Sequence, residues 1–422
     1  MANFAPPPGT ADIFEPEAGA WRAIENAAAE VFSRYGYGEL RTPIFEYTEV
    51  FQKGLGNETE VVQKEMYTFE DRGGRSLTLR PEGTAGVMRA LSNTDVMNGV
   101  EQRVYYHGPM FRGERPAAGR RRQFHQIGVE NVGRCAALID AECIAMICAF
   151  LREIGLEDFQ LDINTRGVAA DRAPAEEVLR NYFAGHLDSM CPDCRTRFER
   201  NIWRILDCKQ PECGKIIENA PDYVASFSED SRNYFAEVCS ALDALKVPYR
   251  VNPRLVRGLD YYVHTVFELT HPALGPQTAI AGGGRYELYL PGEKRAVPGV
   301  GFAAGVERLL LVREALNISY PEKSKPLAYL VGLGSAARIA NLQLADSLRA
   351  AGIPVDLELE ERSFKAQLRG ANRSGAKIAV IRGESELEKG ILVVKDMTDG
   401  NQCEIKETEI FQYISEKRIE KK

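Results

Sequence analysis

Apolar residues recur at helical spacing from Ala18 to Tyr35 (Trp21, Ile24, Ala28, Val31, Phe32), and Gly36 then stops the run, which predicts a helix. The following ELRTPIFE is β-rich at its edges, with Pro43 where a strand ends or sits at a sheet edge. Residues 65–81 alternate on both sides of Gly73-Gly74 and read as a β-hairpin. A helix opens near Thr84 and runs through Val87, Met88 and Leu91. Strands are expected at 102–112 and 122–132, around the basic loop GERPAAGRR. A long helix at 139–154, stopped by Gly155, precedes the strand DFQLDIN. From about 166 to 245 the pattern changes to short polar helices around a cysteine-rich patch. Strand signals return with YRVNPRLVRGLDYYVHTVFEL, pass through Gly282-Gly283-Gly284, and end in a strand and helix at 297–316.

NISYPEKSKP reads as a linker. Beyond it, residues 327–416 alternate strand and helix, the order of a small α/β domain with a mainly parallel sheet. The expected organisation is therefore α+β. An antiparallel-rich body is built from 1–165 and 248–320, a helical insertion spans 166–247, and a terminal α/β domain spans 327–422.

Composition narrows the class. With 44% hydrophobic and 27% charged residues among 422, the chain reads as ordinary soluble globular protein, not a disordered, collagenous or disulfide-stapled one. No stretch approaches the roughly 18 apolar residues of a membrane span. MANFAPPPGTADIFEPE has neither the basic start nor the apolar centre of a secretory signal. Nine cysteines without such a signal suit reduced thiols in the cytoplasm. The net charge of -7 argues against a protein that coats nucleic acid. Locally the balance differs: Arg112, Arg115, Arg120, Arg121 and Arg122 face the single acid Glu114, a local +4, while 326–422 carries 15 basic and 15 acidic residues.

Four constellations carry candidate chemistry. RPEGT (80–84) ends a strand and opens a helix, placing Glu82 and Thr84 where backbone N–H groups are free. Either a helix cap or a ligand contact would use them. The arginine-rich hairpin can clamp a polyphosphate, because guanidinium binds phosphate oxygens in a bidentate way; a solvated charged loop is the plain alternative. On its returning strand Phe124, Gln126, Gly128 and Glu130 share one face, and the glycine leaves a hole between an amide and a carboxyl. LVRGLDYY with AGGGRY joins Arg257 and Arg285 to Tyr262 and Tyr286 beside three glycines. In PGVGFAAGVERLLLV, Gly299, Gly301, Ala303 and Gly305 leave one strand face nearly bare for a flat ring, and a helix follows with Arg308 in its first turn. Apart from these, Cys191, Cys194, Cys208 and Cys213 (C-x2-C, then C-x4-C) can make a tetrahedral structural zinc site or remain four reduced thiols.

The order of these segments resembles the class II aminoacyl-tRNA synthetases. GYGELRTPIFE, FRGERPAAGRRRQFHQIGVE and GVGFAAGVERL are similar to the three class motifs; RLVRGLDYY and AGGGRY are similar to the two signatures of the histidyl-tRNA synthetases. The likeness runs over essentially the whole chain, and the terminal domain is like the family's anticodon-binding module. It implies a six-stranded antiparallel catalytic sheet, a homodimer, and histidine activation with ATP and Mg²⁺ before transfer to tRNA(His). By motif match, Arg112 would hold the ATP α-phosphate, Arg308 the γ-phosphate, with Arg120 beside them, and Phe124 would stack on adenine. Arg257 would stabilise charge developing at the α-phosphate. Glu82, Thr84 and Gln126 would meet the substrate α-amino group, Glu130 and Tyr262 the imidazole, and Tyr286 would line the pocket. Where many bacterial members carry Gln in the second motif, this chain has Ala117 and Ala118, leaving Arg115 as a candidate contact for the tRNA acceptor end. The nearest alternative of another class is the family's non-catalytic paralogue, a regulatory subunit of ATP phosphoribosyltransferase. It generally lacks the terminal domain and has eroded arginine motifs, both of which are intact here.

Overall fold

The computed structural model describes residues 4–55, 61–117, 119–256, 261–275, 278–290, 293–319 and 325–419. Two compact units result, Met1–Tyr320 and Pro321–Lys422.

In the first unit the strands are β1 (Gly38–Glu39), β2 (Phe45–Tyr47), β3 (Thr68–Glu70), β4 (Ser76–Leu79), β5 (Gln102–Phe111), β6 (Gln123–Val132), β7 (Gln160–Thr165), β8 (Arg250–Val251), β9 (Tyr262–Thr270), β10 (Ala279–Tyr289) and β11 (Ala296–Gly305). They form one sheet in the order β1-β5-β6-β11-β10-β9-β7-β8 and a small second sheet, β2-β4-β3. The six inner strands of the large sheet pair antiparallel, as the class resemblance implies. The two-residue edges β1 and β8 pair parallel. Strands that short carry no alternation, so their pattern could not announce them.

Period-two alternation divides the large sheet into a structural and a functional face. On one face Ile127, Val129, Val300 and Phe302 pack against Trp21, Ile24, Val31 and Phe32 of the helix Glu17–Arg34, and against Ile144 and Ile147 of the helix Ala137–Glu153. The other face carries Tyr106, Tyr262 and Tyr286 with Val87 and Met88 of the helix Thr84–Leu91.

The insertion has its own core, with Leu179, Phe183, Cys194, Trp203, Ile205, Cys213 and Tyr223 at its centre. Two of its helices, Pro192–Arg200 and Pro211–Glu218, begin on proline, which suits a first position whose N–H has no intrahelical partner. Its last helix, Glu229–Ala244, instead turns Val238 and Leu242 into the core of the large sheet.

In the second unit β12 (Ala328–Gly332), β13 (Val355–Leu357), β14 (Ile378–Arg382), β15 (Ile391–Asp396) and β16 (Gln402–Lys406) form one sheet in the order β13-β12-β14-β15-β16. The first three are parallel and the last two join antiparallel, so the sheet is mixed where the alternation predicted a mainly parallel one. QCEIK, the sequence of β16, has four of five residues exposed and lacks the apolar stripe of a buried parallel strand. No helix among the described residues is long and apolar enough to cross a membrane.

Candidate active site

The pocket face owes its shape to glycines filled by side chains from other elements. Tyr106 on β5 lies directly across from Gly128 on β6. A Cβ at Gly128 would fall 2.5 Å from the Tyr106 ring, and one at Gly83 2.2 Å from it, so this ring occupies space that two glycines leave. A Cβ at Gly299 would lie 2.4 Å from the Tyr286 ring, and one at Gly301 2.1 Å from Glu130 Oε2. The expectation of a bare face is therefore corrected at these positions: the protein's own pocket walls fill it. At Gly305 a Cβ would meet nothing closer than Arg308, at 3.5 Å.

Two buried carboxyls anchor one end. Glu82 accepts the backbone N–H groups of Thr84 and Ala85, both at 2.7 Å, and so does cap the helix Thr84–Leu91. Glu130 accepts the Thr84 hydroxyl at one oxygen and the Tyr286 hydroxyl at the other, each at 2.7 Å. Burial pushes both carboxyls up; for Glu130, to about 8, against the pull of those two hydroxyls. Burial likewise raises the Tyr106 and Tyr286 phenols, with the Glu130 carboxylate next in importance. Tyr262 is buried against this cluster, its ring 4.7 Å from that of Tyr261. Gln126 keeps a buried Oε1 with no hydrogen-bond partner among the described residues.

Arginines gather beside these acids, with Arg112 next to Glu82. Arg112 donates from Nε to the Pro81 carbonyl at 2.9 Å and sits over the Phe124 ring, 5.2 Å from its centroid. Burial depresses its pKa, and Glu65 and Glu82 offset this. Arg308, third residue of the helix Val306–Ala315, is depressed by burial and then by the neighbouring charge of Arg120. Arg120 in turn pairs with Glu114. Arg115 is exposed on the same loop. Arg257 lies outside the described residues, as does Ala118.

Arg285 does not join this group. Its fully buried guanidinium pairs with Asp140 at 2.5 and 2.8 Å, on the face opposite the pocket, where Thr265 and Tyr234 also donate to Asp140. The sequence reading missed Tyr106, although a tyrosine facing a glycine across a hairpin is a detectable signal. It also missed Glu307, whose carboxylate accepts the His125 backbone N–H at 2.9 Å and thereby ties the helix after β11 to the β6 strand carrying Phe124 and Gln126. The sulfurs of Cys191, Cys194, Cys208 and Cys213 come within 4.8 Å of one another.

Comparison with known proteins agrees over nearly the whole length. Residues 9–309 match the family Histidyl-tRNA synthetase, and residues 328–417 match the family Anticodon binding domain. A histidine–tRNA ligase of Fervidobacterium nodosum is 48% identical over 94% of each chain. One from Halothermothrix orenii is 46% identical over 94% of this chain and 96% of its own. The crystal structure of apo Staphylococcus aureus histidyl-tRNA synthetase superposes with a TM-score of 0.81 at 36% identity, covering 98% of this chain and all of that one.

Proposed function

The chain belongs to the histidyl-tRNA synthetase family, and from that premise we infer how its pocket divides the work. It is an ATP-dependent histidine–tRNA ligase. The histidine carboxylate attacks the α-phosphorus of ATP and pyrophosphate leaves. The 3′-terminal ribose hydroxyl of tRNA(His) then attacks the carbonyl of histidyl-adenylate, and AMP leaves.

One observation carries the assignment of roles. The pocket carries two buried acids, Glu82 and Glu130, together with guanidiniums, of which Arg112 lies close enough to Glu82 for each to feel the other's charge while Arg120 and Arg308 neighbour each other. An amino acid lying among them would point its cationic ammonium at the acids and its carboxylate at the phosphates, the orientation that in-line attack requires. Glu82, Thr84 and the unpartnered Gln126 oxygen would receive the ammonium. Glu130, held by Thr84 and Tyr286, would meet the imidazole with Tyr262. Arg112 and Arg308 would hold the α- and γ-phosphates, with Arg120 alongside, and Mg²⁺ would accompany ATP to neutralise further phosphate charge. Adenine would stack on Phe124. Arg257, assigned by its motif alone, would stabilise charge at the α-phosphorus. A guanidinium stays charged throughout, so it needs no pKa tuning for that role. Arg115 would touch the tRNA acceptor end, and the second unit would read the anticodon. The four cysteines, buried in or near the insertion's own core, would take no part in the chemistry.

The small sheet supports a homodimer. Phe45, Tyr47 and Phe69 are 51%, 47% and 43% exposed while the intervening Glu46 is buried against Arg89, so the sheet presents an apolar outer face. A second copy of this chain is the occupant such a face suits. Nine unpaired cysteines fit a reducing cytoplasm.

Histidine-dependent ATP–pyrophosphate exchange tests the reading. Exchange with proline or threonine and none with histidine would overturn it. Arg257→His should lower exchange far more than histidine binding; equal losses would remove the role given to Arg257. Sedimentation of Phe45→Glu should show a monomer beside a dimeric parent.

A further inference from the structure

The insertion contains a side-chain cluster that aminoacylation does not use. Cys194 and Cys213 are both fully buried, and each is the third residue of a helix that begins on proline. Cys191 precedes the first of these helices directly, and Cys208 lies three residues before the second. The four sulfurs lie within 4.8 Å of one another, and Cys191 and Cys208 stand 3.8 Å apart. A disulfide needs a sulfur separation of about 2 Å, so none of the nine cysteines is paired. Four thiolates around one zinc at about 2.3 Å define a tetrahedron with edges of about 3.8 Å, a distance one pair already shows. Sulfurs this close surround one ion and leave no room for a multinuclear cluster.

We propose that Cys191, Cys194, Cys208 and Cys213 form a closed tetrathiolate site for one structural zinc ion. Each sulfur takes one ligand position as its proton is released, so no position remains for water or substrate and the ion does no catalysis. Its net negative charge is offset by the backbone N–H of Cys191, which donates to Cys213 Sγ at 3.3 Å, and by the free N–H groups at the starts of two helices. The ion would hold together short elements that bury little surface each. Their core includes Trp203, Tyr223 and Val256. Tyr223 donates its hydroxyl to the Pro253 carbonyl at 3.1 Å, and Asn164 donates to both the Tyr223 oxygen and the Leu255 carbonyl. The zinc-held core is thus the bed on which the chain rests as it enters the LVRGLDYY signature, at Leu255 and Val256.

The test uses the full chain, purified without added chelator, and reads metal directly. Elemental analysis should find one zinc per chain. Replacing it with cobalt should give the intense visible bands of tetrahedral thiolate coordination. Titrating the native protein with a mercurial should release the zinc to a metallochromic dye, a readout that needs no variant. Cys194→Ser with Cys213→Ser should lose the metal, while Cys135→Ser with Cys403→Ser, at two exposed cysteines, should keep it. Protein grown with ample zinc that carries none, iron in place of zinc, or zinc unmoved by the mercurial would each overturn the proposal.

Discussion

Glu130 offers the most quantitative test of the pocket. Its carboxyl titrates near 4.5 in an unfolded chain and is pushed up to about 8 in the fold, chiefly by burial, with the neighbouring Glu82 carboxylate adding to the rise and the Thr84 and Tyr286 hydroxyls opposing it. Below pH 4.5 both states hold the proton and the group costs nothing. Between there and about 8 the unfolded chain releases the proton while the folded chain keeps it, so stability falls as pH rises, then levels off. The slope is about 1.4 kcal/mol per pH unit, which makes the cost about 3 kcal/mol at pH 7 and about 5 at the plateau. Glu130→Gln abolishes the titration while keeping the shape, and its amide can accept from one hydroxyl and donate to the other. The variant should therefore gain on the parent by about 1 kcal/mol at about pH 5.5, about 3 near pH 7 and about 5 near pH 8.5. Urea unfolding followed by tryptophan fluorescence reads this cleanly, because Trp21 and Trp203 both belong to the first unit. Histidine activation should fall in the same variant, a gain of stability at the expense of function. A stability difference that stays constant across this range, or a variant weaker than the parent near pH 8.5, would refute the claim that the fold holds Glu130 neutral.

Three further substitutions separate the parts of the pocket. Gly301→Ala places a methyl 2.1 Å from Glu130 Oε2 and 2.3 Å from the Val129 carbonyl oxygen. Both the carboxyl and the β6 backbone must give way by about 1 Å, so histidine-dependent exchange should drop about 100-fold and urea unfolding should show a less stable fold. Arg285→Met leaves Asp140 buried without its cation, and urea unfolding should show a loss of about 3–5 kcal/mol, while the KM for histidine stays near that of the parent. Arg112→Lys gives up the Pro81 anchor and changes the cation held over the Phe124 ring. Initial-rate kinetics should show a KM for ATP raised about tenfold or more, with histidine binding unchanged in calorimetry.

The inner strands of the catalytic sheet were legible in the sequence because they alternate over nine or more residues in most cases, and the face shared by Phe124, Gln126, Gly128 and Glu130 followed from period two alone. The same rule contained a correction that the motif obscured. Arg285 and Tyr286 are adjacent in β10, so once Tyr286 faces the pocket Arg285 must face the helices, and Asp140 meets it there. What alternation could not reveal is which side chain fills a glycine's hole. Tyr106 enters the space at Gly128 from the neighbouring strand, and Glu130 enters that at Gly301 from a segment 171 positions earlier in the chain. Absent side chains can mark a ligand seat or a seat for the protein's own walls, and only tertiary register distinguishes them. The cysteine spacing was likewise visible, but only the fold brings the second pair to the first.

The pocket's polarity also explains how an acidic chain can serve a polyanionic substrate. Net charge sets only the far field, which falls off within about 8–10 Å in salt, whereas Arg112, Arg120 and Arg308 act in a partly buried site where screening is weak. Under the roles proposed above, histidine would be oriented by its own charges, its ammonium toward Glu82 and its carboxylate toward the arginine-bound phosphates. Selection of the ring would then rest on groups that need a polar partner: an apolar amino acid of similar size would leave Glu130 buried without a ligand contact and Gln126 Oε1 still unsatisfied. Under the proposed roles, rejection would come from stranding the pocket's own polar atoms, a penalty larger than the loss of a few methylene contacts. The features that make the empty pocket costly to fold, two buried acids and an unpartnered amide oxygen, would on this reading be the ones that make it selective when filled.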